Sequence, residues 1–340
     1  MKKTLALAVL ALAATAGAAQ ARDQIQVAGS STVLPFANVV AESFGQAFSG
    51  KFKAPIVESG GTGGGLKSFC SGVGENTIDI ANASRAINKT EFETCAKNGV
   101  KDIIQVKIGY DGIVFASIVN GPTFALTTNQ LWKAIAAQVV VDGKVVDNPY
   151  KTWKQIDPSL PDQAIQTFIP AENHGTREVF VEKVLTGGCE QEAAVKALGK
   201  DEQKAVCTKV RKDGLAVDIA GDYTETLARI QSTQNAVGVF GLSFYEENKD
   251  KVKVATVNGV TPTAETIASG EYPVSRPLFF YVKKAHLGAI PGLKEYVTFF
   301  LSDQMVGDEG ALVEKGLIPM PENELKDQRN AANAGTTLSM

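Results

Sequence analysis

Apolar and polar residues follow one another in short blocks along this chain, and the period changes from block to block. Gln24 to Ala28 alternates with period two, which predicts a strand. Phe36 to Phe48 then sets Phe36, Val39, Val40, Phe44 and Phe48 at helical spacing. Pro55 to Glu58, Thr77 to Ala81 and Ile165 to Ile169 are further short strands. The spacing predicts a helix over Arg177 to Leu185, with Val179, Phe180 and Val184 on one side. Val106 to Val119, with Tyr110-Asp111-Gly112 inside it, and Ser275 to Val282 are long apolar strands, able to cross from one lobe to another and back. Thr127 to Val141 begins with capping threonines and predicts a helix, and Asp142-Gly143 is a hairpin signal. Tyr223 to Thr233 is a helix, Ala236 to Leu242 a buried strand, Val252 to Val260 a hairpin around Asn258-Gly259, and 292–301 a helix. Trp132 and Trp153 belong to the core. Lys326 to Met340 is polar with little pattern and reads as a fraying tail. Strands and helices alternate throughout, which is the signature of an α/β architecture, and ligands of such sheets bind at the carboxyl ends of strands.

Donor-rich turns sit at those ends. Gly29-Ser30-Ser31-Thr32 puts three hydroxyls ahead of a helix, where they cap it, bind an anion, or do both. Ser59 to Lys67 opens the next helix with Gly60, Gly61, Gly63, Gly64 and Gly65. Such a run loses much backbone entropy on folding, so either a ligand approaches the amides or the turn needs unusual dihedrals. It lacks the Gly-Lys-Ser/Thr ending of a nucleotide loop. Ser84 and Arg85 close another strand with a hydroxyl and a guanidinium, a fork suited to oxyanions. Pro170 to Phe180 carries His174, Gly175, Thr176 and Arg177 between a strand and a helix start, whose unpaired N–H groups and partial positive charge favour an anion.

The first residues read as a secretion leader. Lys2 and Lys3 are followed by the apolar Leu5 to Ala14, and Ala19-Gln20-Ala21 is a small-x-small cleavage site, so 1–21 is expected to be removed and Arg22 to begin the exported, periplasmic chain. No later run reaches the roughly 18 apolar residues of a spanning helix. Losing the two leader lysines takes 34 basic residues to 32 against 37 acidic ones, and the formal charge from −3 to −5. That excess argues against nucleic acid and against a membrane-surface role. The 44% apolar content excludes a disordered chain, and the length suits two lobes better than one core. Four cysteines in an oxidising compartment suggest two disulfides, and neighbour pairing, Cys70 with Cys95 and Cys189 with Cys207, is the simplest of three connectivities. Their spacing is not that of zinc ligands, and His174 and His286 lie far from both couples, so neither a metal nor a cofactor is expected.

These turns, in this order, resemble the periplasmic phosphate-binding proteins (the PstS family) of ABC importers. Gly29-Ser30-Ser31-Thr32-Val33 is similar to the family's first phosphate turn, Ser59 to Lys67 to its second, and Asp79 to Arg85 to its strand ending in Ser-Arg. His174-Gly175-Thr176-Arg177-Glu178 resembles its Ser-Gly-Thr-Arg-Glu, Gly270 to Pro277 its returning hinge segment, and Gly316 to Pro319 its closing turn. The resemblance implies a two-lobed periplasmic binding protein of type II, with two mixed sheets flanked by helices and a two-strand hinge. Lobe I would comprise 22–112 plus 278–325, lobe II 113–277, and 326–340 a C-terminal tail. It implies a monomeric, non-enzymatic receptor that takes inorganic phosphate on Ser31, Thr32, Thr62, Ser84, Arg85, His174, Gly175 and Thr176 and passes it to an ABC permease and ATPase.

Three departures bear on that set. His174 stands where the family has Ser, and Pro170 where many members have Arg, which leaves Arg85 or Arg177 to supply the charge. Ser84 stands where some members have a proton-accepting Asp, a role open to Asp111 or Glu172. Sulfate or a phosphonate is the alternative ligand. A phosphoester hydrolase with Ser84 or Thr176 as nucleophile and His174 as base is the competing class. Such chemistry wants a base oriented by a third group and usually paired metals, and the sequence shows no metal-ligand cluster.

Overall fold

The computed structural model describes residues 22–74, 76–172 and 176–340. The leader, His174 and Gly175 lie outside the described residues. Nine strands form one hydrogen-bonded sheet. In chain order they are β1 (Gln26–Gly29), β2 (Ile56–Ser59), β3 (Ile80–Ala83), β4 (Ile103–Ile118), β5 (Thr167–Pro170), β6 (Ala216–Ile219), β7 (Val237–Gly241), β8 (Val252–Val254) and β9 (Ser275–Lys283). The order across the sheet is β2-β1-β3-β9-β4-β7-β5-β6, with β8 also on β4. β1, β2 and β3 are mutually parallel, as are β5, β6 and β7. β9 is antiparallel to both β3 and β4, and β4 is antiparallel to β7.

β4 is what joins the two halves. Its residues Ile103 to Gly112 pair with β9, and Ile113 to Ser117 and Ile118 pair with β7 and β8. Sixteen residues is long for a strand, and nearly all of it is buried, which is why one apolar run serves two sets of parallel strands. The carboxyl ends of both sets face the middle of β4, where Arg276 of β9 sits opposite Asp111. The two sheets expected from the sequence are therefore halves of one path.

The turns between strands and helices have identifiable causes. Helix α1 (Leu34–Ala47) starts with Pro35 in its first turn and buries Phe36, Val40 and Phe44. Helix α2 (Gly61–Phe69) packs so tightly that a Cβ on Gly65 would lie 2.4 Å from Gly29 Cα, and Gly61 has φ +68°. Gly63 and Gly64 meet nothing within 4 Å, so their bareness serves neither packing nor a left-handed turn. Helix α3 (Lys89–Lys97) opens on a capping box between Asn88 and Glu91. Both disulfides form as the simplest pairing predicts, Cys70–Cys95 and Cys189–Cys207, and Trp132 and Trp153 are fully buried.

Four expectations change. The helix that starts after Thr127 stops at Ile135, because Gln138–Val141 pairs with Lys144–Asp147 across the Asp142-Gly143 turn. Val252 to Val260 turns tightly at Asn258-Gly259 as expected, with Val257 and Val260 exchanging both backbone bonds, but its arms do not pair further: Val252–Val254 joins β4, whereas Thr256–Val257 runs parallel to Ala125–Leu126. The helix from Arg177 is α-helical only to Val179 and widens to a π-helix over Phe180–Thr186. The polar C-terminal stretch is an ordered helix, Glu322–Ala334, because its partners are polar. Glu324 accepts from Tyr110 Oη at 2.6 Å and pairs with Lys107, and Gln328 accepts from the Lys107 amide at 2.9 Å. That amide lies where the β4–β9 register slips, so the helix supplies a bond the ladder does not.

Candidate anion site

In the first turn the three hydroxyls divide the work. Ser30 is buried and its Oγ accepts from the amides of Thr32 and Val33, at 3.2 and 3.4 Å, so it fixes the turn that leads into α1. Ser31, exposed, and Thr32, buried, both donate instead to Glu178 Oε2, at 3.1 and 2.9 Å. At the end of β3, Ser84 donates to Glu178 Oε1 at 3.3 Å. Thr62, in the first turn of α2, fixes Ser84: its Oγ1 accepts from the Ser84 amide at 3.1 Å and lies 3.1 Å from Ser84 Oγ. Hydroxyls from two segments far apart in the chain thus converge on one carboxylate, and a third segment, through Thr62, holds one of them in place.

The positive charge at this cluster belongs to Arg276. Its side chain is almost fully buried at the hinge end of β9. Nη2 donates to Thr32 Oγ1 at 2.8 Å and Nη1 to Glu182 Oε2 at 2.9 Å, while Nε faces Asp111 Oδ2 at 3.5 Å. Glu178 Oε2 is 3.8 Å from Nη2. One guanidinium therefore faces Asp111, Glu178 and Glu182. Burial pushes the Asp111 carboxyl above its ordinary range; Arg276 opposes the shift, and Glu178 and Glu182 add to it.

The other arginines are engaged elsewhere. Arg85 forms a bidentate pair with Glu91, at 2.8 and 2.9 Å, and donates to the Ala86 carbonyl. The hydrogen bond to Glu91 holds its guanidinium above the usual range. The capping carboxylate of α3 thus draws Arg85 away from the hydroxyls. Arg177 folds back onto the Pro170 carbonyl at 2.6 Å and Asp218 at 2.8 Å. Glu172 is exposed, whereas Asp111 lies in the cluster.

Beside the hydroxyls is a cavity of about 250 Å³ lined by Thr32, Asp111, Thr176 and Tyr223, with Phe36 and Phe244 as apolar walls. Burial raises the Tyr223 phenol, and a hydrogen bond with Thr176 opposes the shift. The structure thus brings Ser31, Thr32, Thr62 and Ser84 together, sets Thr176 on the adjoining wall, and turns Arg85 away. Sequence reasoning missed Glu178 and Arg276. The available signal for Arg276 was one strongly basic residue opening the apolar Leu278-Phe279-Phe280-Tyr281-Val282 strand, where a buried charge needs partners.

Residues 14–304 match the family model described as PBP superfamily domain. A phosphate-binding protein PstS of Staphylococcus saprophyticus is 31% identical over 310 residues, covering 89% of this chain and 82% of the relative. Protein SphX of Synechococcus elongatus is 30% identical over 300 residues, covering 86% of this chain and 76% of its own. Among solved structures, a possible phosphate binding protein from Planctomyces limnophilus superposes with TM-score 0.70 at 28% identity, covering 92% of this chain and 99% of that one. An ABC-type phosphate transport receptor from Vibrio cholerae, 21% identical, shares the fold at TM-score 0.58, covering 88% of this chain and 100% of that one. The two-lobed α/β fold of the periplasmic binding proteins is thus the fold of this protein, and the chain belongs to the PBP superfamily, within its PstS family of phosphate-binding proteins.

Proposed function

We propose that this protein captures inorganic phosphate between its two lobes and delivers it to the permease and ATPase of an ABC importer. The observation that carries the reading is the convergence of the Ser31, Thr32 and Ser84 hydroxyls on a single oxyanion group, with a buried guanidinium beside them. Fixed donors in a water-poor cleft replace the hydration of an anion without reorganising. Thr62 positions Ser84. Thr176 adds a hydroxyl from the adjoining cavity wall, His174 and Gly175 join the set through the family resemblance alone, and Arg276 supplies the charge the sequence had assigned to Arg85. The phosphate-binding names of the relatives favour phosphate over sulfate and phosphonate, and transport over ester hydrolysis.

The leader directs export, Ala21 is the last residue removed, and the mature chain works in the periplasm as a monomer. Among the described residues no helix is long and apolar enough to cross a membrane. Lobe I consists of 22–112 and 278–325, lobe II of 113–277, and closure about the β4 and β9 crossing is the signal the permease reads. Isothermal titration checks the ligand: one phosphate per chain with measurable heat and none with sulfate is expected. Heat with sulfate alone contradicts the assignment.

A further inference from the structure

We propose that Glu178 is an internal ligand of the anion cradle, holding the binding hydroxyls until the incoming oxyanion displaces it. The inference rests on the phosphate reading above and adds a regulation of that site. A hydroxyl has one proton to donate. Ser31 and Thr32 give theirs to Glu178 Oε2 and Ser84 gives its own to Oε1, so none of the three can donate to a bound anion while Glu178 stays. Thr32 shows the exchange most plainly, because its oxygen already accepts from Arg276.

Charge leads to the same conclusion. Arg276 faces Asp111 at 3.5 Å, Glu178 at 3.8 Å and Glu182 at 2.9 Å. A phosphate dianion added to that group would meet three carboxylates against one guanidinium, in a site where water screens little. The Asp111 side chain is 11% exposed, whereas those of Glu178 and Glu182 are 37% and 44% exposed and have a way out; of these two, only Glu178 holds the hydroxyls. Glu178 therefore swings to solvent as the anion enters, and the anion inherits its donors. The apparent affinity is lowered by the fraction of molecules in which Glu178 holds the cradle.

The test uses the full chain and its E178A and E178Q variants. Titration with inorganic phosphate is expected to give a Kd lower by about fivefold or more in E178A, the size of one released hydrogen-bonded contact, with E178Q between. In parallel, thermal unfolding is followed with sodium acetate, a free carboxylate that fits the vacated place. Acetate is expected to raise the midpoint of E178A and not of the wild type. Equal or weaker phosphate binding by E178A, without an acetate effect, overturns the proposal and makes Glu178 a support of the site. No phosphate heat from either protein, with acetate still stabilising only E178A, overturns the phosphate reading and leaves the internal contact standing.

Discussion

A hydroxyl at a strand end can fix the turn into the next helix or face the cleft, and neighbours in this chain do one each. Ser30 fixes the turn that leads into α1, while Ser31 and Thr32 donate to Glu178. The sequence shows that such hydroxyls are there, since their position before a helix is local. It does not show which one turns inward, because that depends on the backbone of a single turn. Ser84→Ala and Thr32→Ala are expected to weaken phosphate binding about tenfold each, the worth of a hydrogen bond to a charged group. Arg85→Ala is expected to leave the Kd within about twofold, because the half-exposed pair it forms with Glu91 contributes under about 1 kcal/mol to stability. Titration of the three variants checks both statements. The partners of Arg276 were illegible for a physical reason: they come from the turn before α1, β4 and the helix after Thr176, and no local spacing encodes them. Lys283 makes a separate prediction. Its ammonium is fully buried, donates to Thr77 at 2.7 Å, and burial lowers its pKa to about 8. A lysine depressed in the folded state adds stability above its unfolded pKa and loses it as the pH falls through about 8. Denaturant unfolding should therefore strengthen from pH 8 toward pH 10.5, and Lys283→Met should remove that rise.

At the scale of elements, the period of the apolar positions located the core of the sheet, β1, β2, β4, β5, β7 and β9 with helix α1, but not the short strand β6, helix α3 or the helices Leu242–Glu247 and Ala264–Ala268, whose apolar faces are brief. The helix Glu322–Ala334 has little apolar face, yet it closes on Tyr110, Lys107 and Arg329's carbonyl partner Leu301. Deleting residues after 321 is expected to lower the unfolding midpoint by several degrees, because the Lys107 amide and the Tyr110 hydroxyl lose their acceptors. A frayed tail would leave the midpoint unchanged. The glycine run that opens α2 also separates by position. Gly65→Ala forces a Cβ to 2.4 Å from Gly29 Cα and is expected to destabilise by about 1–3 kcal/mol, with weaker binding because both turns carry site residues. Gly64→Ala meets nothing within 4 Å and lies inside the helix, so about 0.5–1 kcal/mol of stabilisation is expected. Chemical denaturation of the pair distinguishes packing glycines from the rest. Sequence alone left that choice open, since composition does not tell which Cβ would collide.

For the whole molecule, the alternation of strands and helices gave the α/β class, and the lengths of two apolar runs gave the crossing between halves. β4 and β9 realise it: one end of β4 pairs with β9 and the other with β7, so the parallel strands of both halves aim their carboxyl ends at Asp111 and Arg276. The site is a property of that meeting and of neither half alone. Its parts were readable as four donor-rich turns, but their convergence is long-range and came only from the fold. The most direct test is a crystal structure of the chain grown with phosphate. The account predicts one anion within hydrogen-bond distance of the Ser31, Thr32 and Ser84 hydroxyls, with the Arg276 guanidinium beside it and Glu178 turned to solvent. An anion bound away from these groups, on Arg85 or at a surface site, would contradict it.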